Sequence, residues 1–331
     1  MRIGVIGVGK MGFNHVKIFS QMKDVQVVGV ADVNAQVARD VAQEFDTRPY
    51  TNYLDLLAQD LDAVSIVVPT TLHKQVAMDA LNAGCHILVE KPIAATLDEG
   101  KDMIALAQKV NKKLLVGHVE RFNPAVGILK ELIDDGVLGE VVSISSKRVG
   151  PYQPRISDCG IILDLAPHDI DVISYLYNDR VREVYAVAGK VFHSHEDHAT
   201  LMLKFRRGMA GVIETSWLPP HRDRRLNVVG NSGVATLDFI EQKVVVYDKN
   251  WAREANVDRK EPLRNELRYF IKLISNGEQP FVSGEDSLHA LSVALSAVDS
   301  YKSGRVIRVQ MPDIAEVNTG KVSPFRMVKK Q

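Results

Sequence analysis

Three glycines directly behind the first apolar run constrain this chain more than any other feature. Gly7, Gly9 and Gly12 stand in "GVGKMG", spaced G-x-G-x-x-G, after the strand-like "RIGVI" and before a helical pattern. A lone triplet of this kind is weak, but between a strand and a helix it has a mechanism. The glycines permit a tight turn and close approach of a pyrophosphate, and the N-terminus of the next helix stabilises phosphate charge. Lys10 and Met11 complete the loop. Asp32 ends the second apolar run, twenty positions beyond Gly12, where the adenosine ribose of a dinucleotide would lie. Its carboxylate can accept from both ribose hydroxyls and would repel a 2′-phosphate, and Val33 and Asn34 supply no cation to neutralise one. The expectation is a dinucleotide site with NAD preferred over NADP.

The pattern around this loop repeats. "RIGVIGV", "VQVVGVAD", "AVSIVVP", "HILVEKP" and "KLLVGHV" read as strands, separated by amphipathic stretches such as "AQVARDVAQEF" and "LDEGKDMIALAQKVN". That alternation is the signature of βαβ units around a parallel sheet, and strands apolar on both faces require helices on both sides. After "VERFNP" the rhythm changes to runs with period two, from "EVVSISSKRV" through "REVYAVAGKVF", "HATLMLKF", "AGVIETSW", "RLNVVG" and "VATLDF" to "KVVVYD". These predict one large, mostly antiparallel sheet, followed by two helical patterns. The division expected is residues 1–121, 122–310 and a weakly patterned tail, 311–331.

Bulk properties narrow the partners. With 41 basic and 41 acidic side chains in 331 residues, the chain has no net charge to favour nucleic acid or an anionic membrane. The basic run "HRDRR", His221–Arg225, reads as a solvated loop or a site for one small anion. No apolar run reaches membrane-spanning length, and the first residues lack a signal-peptide pattern, so a cytoplasmic protein is expected. Two scattered cysteines, Cys85 and Cys159, are too few for a disulfide framework or a thiolate metal site. "HSHEDH", His193–His198, reads as a turn rather than a helix face presenting ligands, so no metal is expected.

Two stretches carry candidate chemistry. "VEKPIA" places Glu90, Lys91 and Pro92 at the carboxyl edge of the fourth strand-like run, where open α/β sheets bind ligands. A lysine emerging from a buried strand is suited to proton transfer, although alone it reads equally as a strand-end lysine before a turn. "ILDLAPHDID", Ile162–Asp171, crowds three carboxylates and a histidine among apolar residues. On one helix Asp164 and His168 would share a face, a carboxylate holding an imidazole, or simply a polar stripe. Pro167 between them requires that the helix be in its first turn or kinked.

"GVGKMG", Asp32, "VPTTLH", "VEKP" and the later D-x-x-x-H together resemble the Gfo/Idh/MocA family of NAD(P)-dependent oxidoreductases, from Met1 to about Val309. The resemblance implies an α/β chain: a Rossmann domain, doubly wound around a parallel sheet, and an α/β domain whose open sheet often forms a homodimer or homotetramer interface. It implies that Lys91, Asp164 and His168 line the active site, with Lys91 and His168 sharing the proton transfer. Pro69, Thr70, His73 and Glu90 join the glycine loop as cofactor contacts, with Thr70 standing where many relatives carry asparagine. Arg121, Arg148, Tyr152, Arg155 and His168 are expected at the substrate, since paired arginines suit a phosphate or carboxylate. The wording from Lys147 to Asp171 resembles the branch that oxidises the 3-hydroxyl of UDP-N-acetylglucosamine. An inositol or free-sugar dehydrogenase is the alternative within the family, and a non-catalytic NAD-binding sensor the alternative outside it.

Overall fold

The computed structural model describes residues 1–152 and 159–310. Its first half runs β1 (Arg2–Ile6), α1 (Lys10–Ser20), β2 (Gln26–Ala31), α2 (Ala35–Glu44), β3 (Arg48–Tyr50), α3 (Tyr53–Leu57), β4 (Ala63–Ile66), α4 (His73–Asn82), β5 (His86–Glu90), α5 (Leu97–Lys109) and β6 (Leu114–Gly117). The strands form one parallel sheet in the order β3-β2-β1-β4-β5-β6. Val5, Ile6, Val64, Ile66, Leu88 and Val89 are buried whichever face they point to, as helices on both sides demand. Helix starts are set locally. The Asn34 side chain accepts from Gln36 and Val37 amides, and Thr96 with Glu99 forms a reciprocal cap on α5.

The second half opens with α6 (Pro124–Asp134), β7 (Val141–Val149), α7 (Ile161–Asp164) and α8 (Ala166–Tyr177). Then come β8 (Val181–Gly189), β9 (His198–Phe205), β10 (Ala210–Ser216), β11 (Asp223–Gly230), β12 (Val234–Asp238), β13 (Lys243–Tyr247) and β14 (Ala252–Glu254). Two helices, α9 (Pro262–Asn276) and α10 (Gly284–Ser303), precede β15 (Ile307–Arg308). The nine strands form a sheet in the order β14-β13-β12-β11-β7-β10-β9-β8-β15. It is antiparallel except for β7 beside β10, which run parallel. Period two is plain in β9, where Ala199, Leu201, Leu203 and Phe205 are buried while Thr200, Met202 and Lys204 are exposed. Helix α6 lies on β12 and β13, and α8 on β10.

The described residues form two compact units, 1–118 with 263–288, and 119–262 with 289–310. A single break near residue 121 therefore describes the chain incompletely, because α9 returns to the first unit. Arg268 on α9 pairs with Asp24 at 2.5 Å, and Lys113 Nζ donates to the Gly277 carbonyl at 3.0 Å. The expected tail, 311–331, lies outside the described residues.

Candidate active site

The glycine loop is built as its spacing requires. Gly7 adopts φ +83°, a conformation that L side chains rarely take, and its amide donates to the Ala31 carbonyl at 2.7 Å. A Cβ on Gly12 would collide with the Gly7 carbonyl, so only glycine lets α1 pack this close. Around Gly9 a Cβ would meet nothing, leaving open space at the N-terminus of α1. No side chain caps that helix, in contrast to α2 and α5. Its first amides and its dipole are therefore available to an anion, which is the property a pyrophosphate cradle needs. Lys10 is exposed and Met11 half-buried beside it. Asp32 is already oriented: Oδ2 accepts from the Val8 amide at 3.0 Å and Oδ1 from the Asn34 amide at 2.9 Å. Each oxygen keeps a lone pair for a ribose hydroxyl.

At the ends of β4 and β5, Pro69 and Thr70 stand at the start of a single turn of 3₁₀-helix, Thr70–Leu72. His73 differs from expectation. It is buried, with Nδ1 2.9 Å from the Pro92 carbonyl and Nε2 3.0 Å from the Val68 carbonyl. Burial pushes its pKa down, against the two carbonyls and the Glu90 charge. A neutral ring can donate to only one of these carbonyls, from Nδ1 to Pro92 or from Nε2 to Val68, and in either tautomer it sits between the β4 and β5 loops. Glu90 is likewise turned inward. Its Oε1 lies 3.2 Å from Nε2 of buried His15, short of well-aligned hydrogen-bond geometry, and its Oε2 accepts from the Lys91 amide at 3.2 Å. A Cβ on Gly117 would press on the Glu90 carboxylate at 3.1–3.2 Å, so glycine there makes room for it. Lys91 is half-exposed and joined to Pro92 through a cis peptide bond.

In the second unit, Asp164 ends α7 and His168 lies in the first turn of α8, on either side of Leu165. Pro167 occupies the opening turn of α8, where it displaces no helical hydrogen bond. Both Asp164 and His168 are half-buried. Glu196 sets the entry to α7: its carbonyl accepts from the Ile161 amide at 2.9 Å and its carboxylate from the Ile162 amide at 3.4 Å. The other two carboxylates of the stretch answer a different need. Asp169 receives Arg148 Nε at 2.7 Å and Ser146 Oγ at 2.5 Å, and Arg148 also reaches Glu120 at 2.8 Å. Asp171 takes Arg121 in a bidentate pair, both bonds 2.7 Å.

Arg121 and Arg148, expected at the substrate, are each about 2 % exposed and lie inside this network. Burial opposes the charge of Arg148, but Asp169 and Glu120 outweigh it and raise its pKa. Their task is to fix α8 against β7 and the Val119–Phe122 turn. Glu120, Asp169 and Asp171 carry no role in the sequence analysis, although each stands within three residues of Arg121 or His168, which do. The more accessible cation is Arg224 on β11, 3.8 Å from Glu120, whose pKa is lowered by burial and then by repulsion from Arg148. Tyr152 stacks on His193 with ring centroids 3.7 Å apart and meets Trp217 edge-on. Arg155 lies outside the described residues. Among the described residues no group of three or more His, Cys, Asp or Glu side chains is arranged to hold a metal, and both cysteines are free thiols.

Comparison with known proteins agrees with the two-part fold. The profile described as an oxidoreductase family with an NAD-binding Rossmann fold covers residues 1–118, and the GFO/IDH/MocA C-terminal domain covers residues 127–236. UDP-N-acetylglucosamine 3-dehydrogenase of Acidithiobacillus ferrooxidans is 30% identical over 305 residues, 89% of this chain and 95% of that protein. Myo-inositol 2-dehydrogenase of Thermotoga maritima is also 30% identical, over 94% of this chain and 99% of its own. The solved structure of the Acidithiobacillus enzyme superposes with a TM-score of 0.85 at 29% identity, covering 92% of this chain and 98% of that one. The chain therefore belongs to the Gfo/Idh/MocA family of NAD-binding oxidoreductases, which act on sugar or polyol hydroxyls.

Proposed function

We propose that the substrate is a nucleotide sugar, UDP-N-acetylglucosamine or a close relative, oxidised at its 3-hydroxyl. The observation that carries this reading is Arg224. A half-buried guanidinium held beside the fully buried Arg148 is repelled by it, and a bound diphosphate would relieve that repulsion. Arg222 and His221 extend the same basic run. A free inositol offers no charge to such a group. The 30% identity to a UDP-N-acetylglucosamine 3-dehydrogenase supports the assignment, while equal identity to an inositol dehydrogenase keeps free polyols as the second reading.

NAD, when bound, supplies the acceptor for the hydride that leaves the carbinol carbon. The protein's residues do the rest. Gly7, Gly9 and Gly12 with the α1 amides hold the pyrophosphate, Asp32 holds the ribose, and Pro69 and Thr70 border the cofactor. Lys91 and His168 form the proton-transfer pair that takes the hydroxyl proton, and Asp164 fixes the imidazole's orientation and tautomer. The domain assignment follows: the first unit binds NAD, and the second binds substrate and supports assembly.

The deciding experiment measures NAD reduction with UDP-sugars, inositols and free aldoses at equal concentration. UDP-N-acetylglucosamine should have the highest kcat/KM, and Arg224→Ala should raise its KM about tenfold or more with kcat little changed. Faster turnover of an inositol, unaffected by Arg224→Ala, would establish the second reading instead.

A further inference from the structure

The large sheet brings the turn "HSHEDH" and the basic run "HRDRR" to one end of its helix-covered face. Arg148 on β7 stands opposite Thr215 on β10 and Arg224 on β11, and this row faces α8, where Arg148 meets Asp169. Two residues further along, Trp217, Gly150 and Arg222 form the next row on the same face. The Gly150 amide donates to the Ser216 carbonyl at 3.0 Å and the Trp217 amide to the Asp197 carbonyl at 2.8 Å, which carries the ladder past the ends of the strands. Gly150 has no side chain, and a Cβ there would lie 2.9 Å from Arg222 Cγ, so the stem of exposed Arg222 lies over it. With neighbouring strands about 5 Å apart, the backbones of Trp217 and Arg222 stand roughly 10 Å from each other, with that stem between them.

Trp217 is the floor of an aromatic cluster. It is 5% exposed, and Tyr152 and His193 are half-buried beside it. The Tyr152 and His193 rings lie 3.7 Å apart by centroid at 32°, and they meet Trp217 steeply, at 62° and 87°. Buried Asp197 holds the turn that presents His193: its Oδ2 accepts from the Val191 amide at 2.7 Å and the Phe192 amide at 2.8 Å. Because its carbonyl also takes the Trp217 amide, one aspartate ties the turn to the floor. The carbonyl of neighbouring Glu196 accepts from the Ile161 amide at the start of α7, the helix that ends in Asp164. A wall of rings fixed in this way spends little ordering entropy when a flat ligand arrives.

We infer that the Tyr152–His193–Trp217 cluster is the subsite for the nucleobase of a nucleotide sugar, with Arg222 and Arg224 at the diphosphate between base and sugar. This rests on the reading of the substrate as a nucleotide sugar. Arg224 belongs to the row that meets Asp169, the chain neighbour of His168, and Arg222 and the rings stand one row further out. Sugar, diphosphate and base follow in the same order along such a substrate. Every base has a π-face to stack on rings of this kind, and guanidinium groups suit the diphosphate. A free polyol has no flat face and would leave the rings unused.

Calorimetry on the full-length protein tests it by comparing UDP with inorganic pyrophosphate, in the presence of saturating NAD so that neither probe enters the cofactor site. UDP should bind about tenfold more tightly than pyrophosphate or better, the factor that stacking one base supplies. His193→Ala and Tyr152→Leu should each weaken UDP about tenfold and leave pyrophosphate within about twofold, while Tyr152→Phe keeps the ring and the affinity. Arg224→Ala should weaken both probes. In Trp251→Phe, Trp217 is the remaining tryptophan, and its emission should change with UDP but not with pyrophosphate. Equal affinities for UDP and pyrophosphate, or UDP affinity unchanged in both ring variants, would overturn the subsite and leave the Arg224 reading standing. No binding of UDP at all would remove the nucleotide-sugar reading itself, and this inference with it. Should Tyr152→Leu not fold, His193→Ala and the Trp217 emission still decide.

Discussion

At the scale of the residue, identical side chains are pushed in opposite directions here: the Glu90 pKa is held down although burial opposes it, and burial pushes that of Glu266 up. Glu90 accepts from the Lys91 amide at 3.2 Å and has His15 Nε2 3.2 Å from its other oxygen, whereas neither carboxylate oxygen of Glu266 has a donor among the described residues. The consequence for stability has a definite sign. Glu266 is raised in the fold above its ordinary value of 4.5, so its contribution is fully present below that pH and is lost as pH rises toward the folded value. Glu266→Gln removes the dependence. The variant should match the wild type in Tm near pH 4 and exceed it increasingly at neutral and alkaline pH, as thermal melts across that range will show. Asp32 supports a second prediction. Asp32→Ala removes both a ribose acceptor and a repulsive charge, so NAD affinity should fall by about tenfold while NADP affinity falls less or rises. Fluorescence titrations with both cofactors would count against this placement if the preference were unchanged.

Among the elements, what the sequence disclosed and what it hid have separate physical causes. The five long strands of the parallel sheet were legible because both faces are buried, so their apolar runs are continuous. The short edge strand β3, "RPY", contains proline and is mostly exposed, and β14 and β15 span three and two residues, too few to show a period. The return of α9 was hidden for another reason, since amphipathicity shows that a helix has a partner without naming it. In "ILDLAPHDID" the sequence revealed an unusual density of charge, but not which charges would be buried. Only the pairing of β7, α8 and the Val119–Phe122 turn shows that Asp169 and Asp171 serve Arg148 and Arg121. Removing one partner of such a buried pair leaves the other charge stranded. Asp169→Ala should therefore cost about 3–5 kcal/mol in urea unfolding, and Asp169→Asn less, because the amide oxygen can still accept from Ser146 or Arg148. A loss below about 1 kcal/mol for Asp169→Ala would show that water replaces the carboxylate.

For the whole molecule, the large sheet raises the question of what covers its second face. Helices α6 and α8 lie on one side, and the alternation that buries Leu201 and Leu203 turns Met202 outward. Met202 stands opposite Tyr185 on β8 and Val212 on β10, and Val187 lies two residues further along β8. Tyr185, Val187 and Met202 are 36%, 59% and 58% exposed, a contiguous apolar patch on a regular surface. A flat sheet face of this kind is suited to a second copy of itself, because a two-fold axis can bring the same residues together from both sides. We propose a homodimer or homotetramer assembled through this face. Light scattering at micromolar concentration should give a multiple of the 36.7 kDa chain mass. Val187→Lys combined with Met202→Lys places like charges across the axis and should weaken association by about a hundredfold or more. NAD affinity should persist in that variant, since the glycine loop and Asp32 belong to the first unit, which has its own buried core. A monomeric wild type, or a double variant that still assembles, would place the interface elsewhere and leave the exposed apolar face without a partner of its own kind.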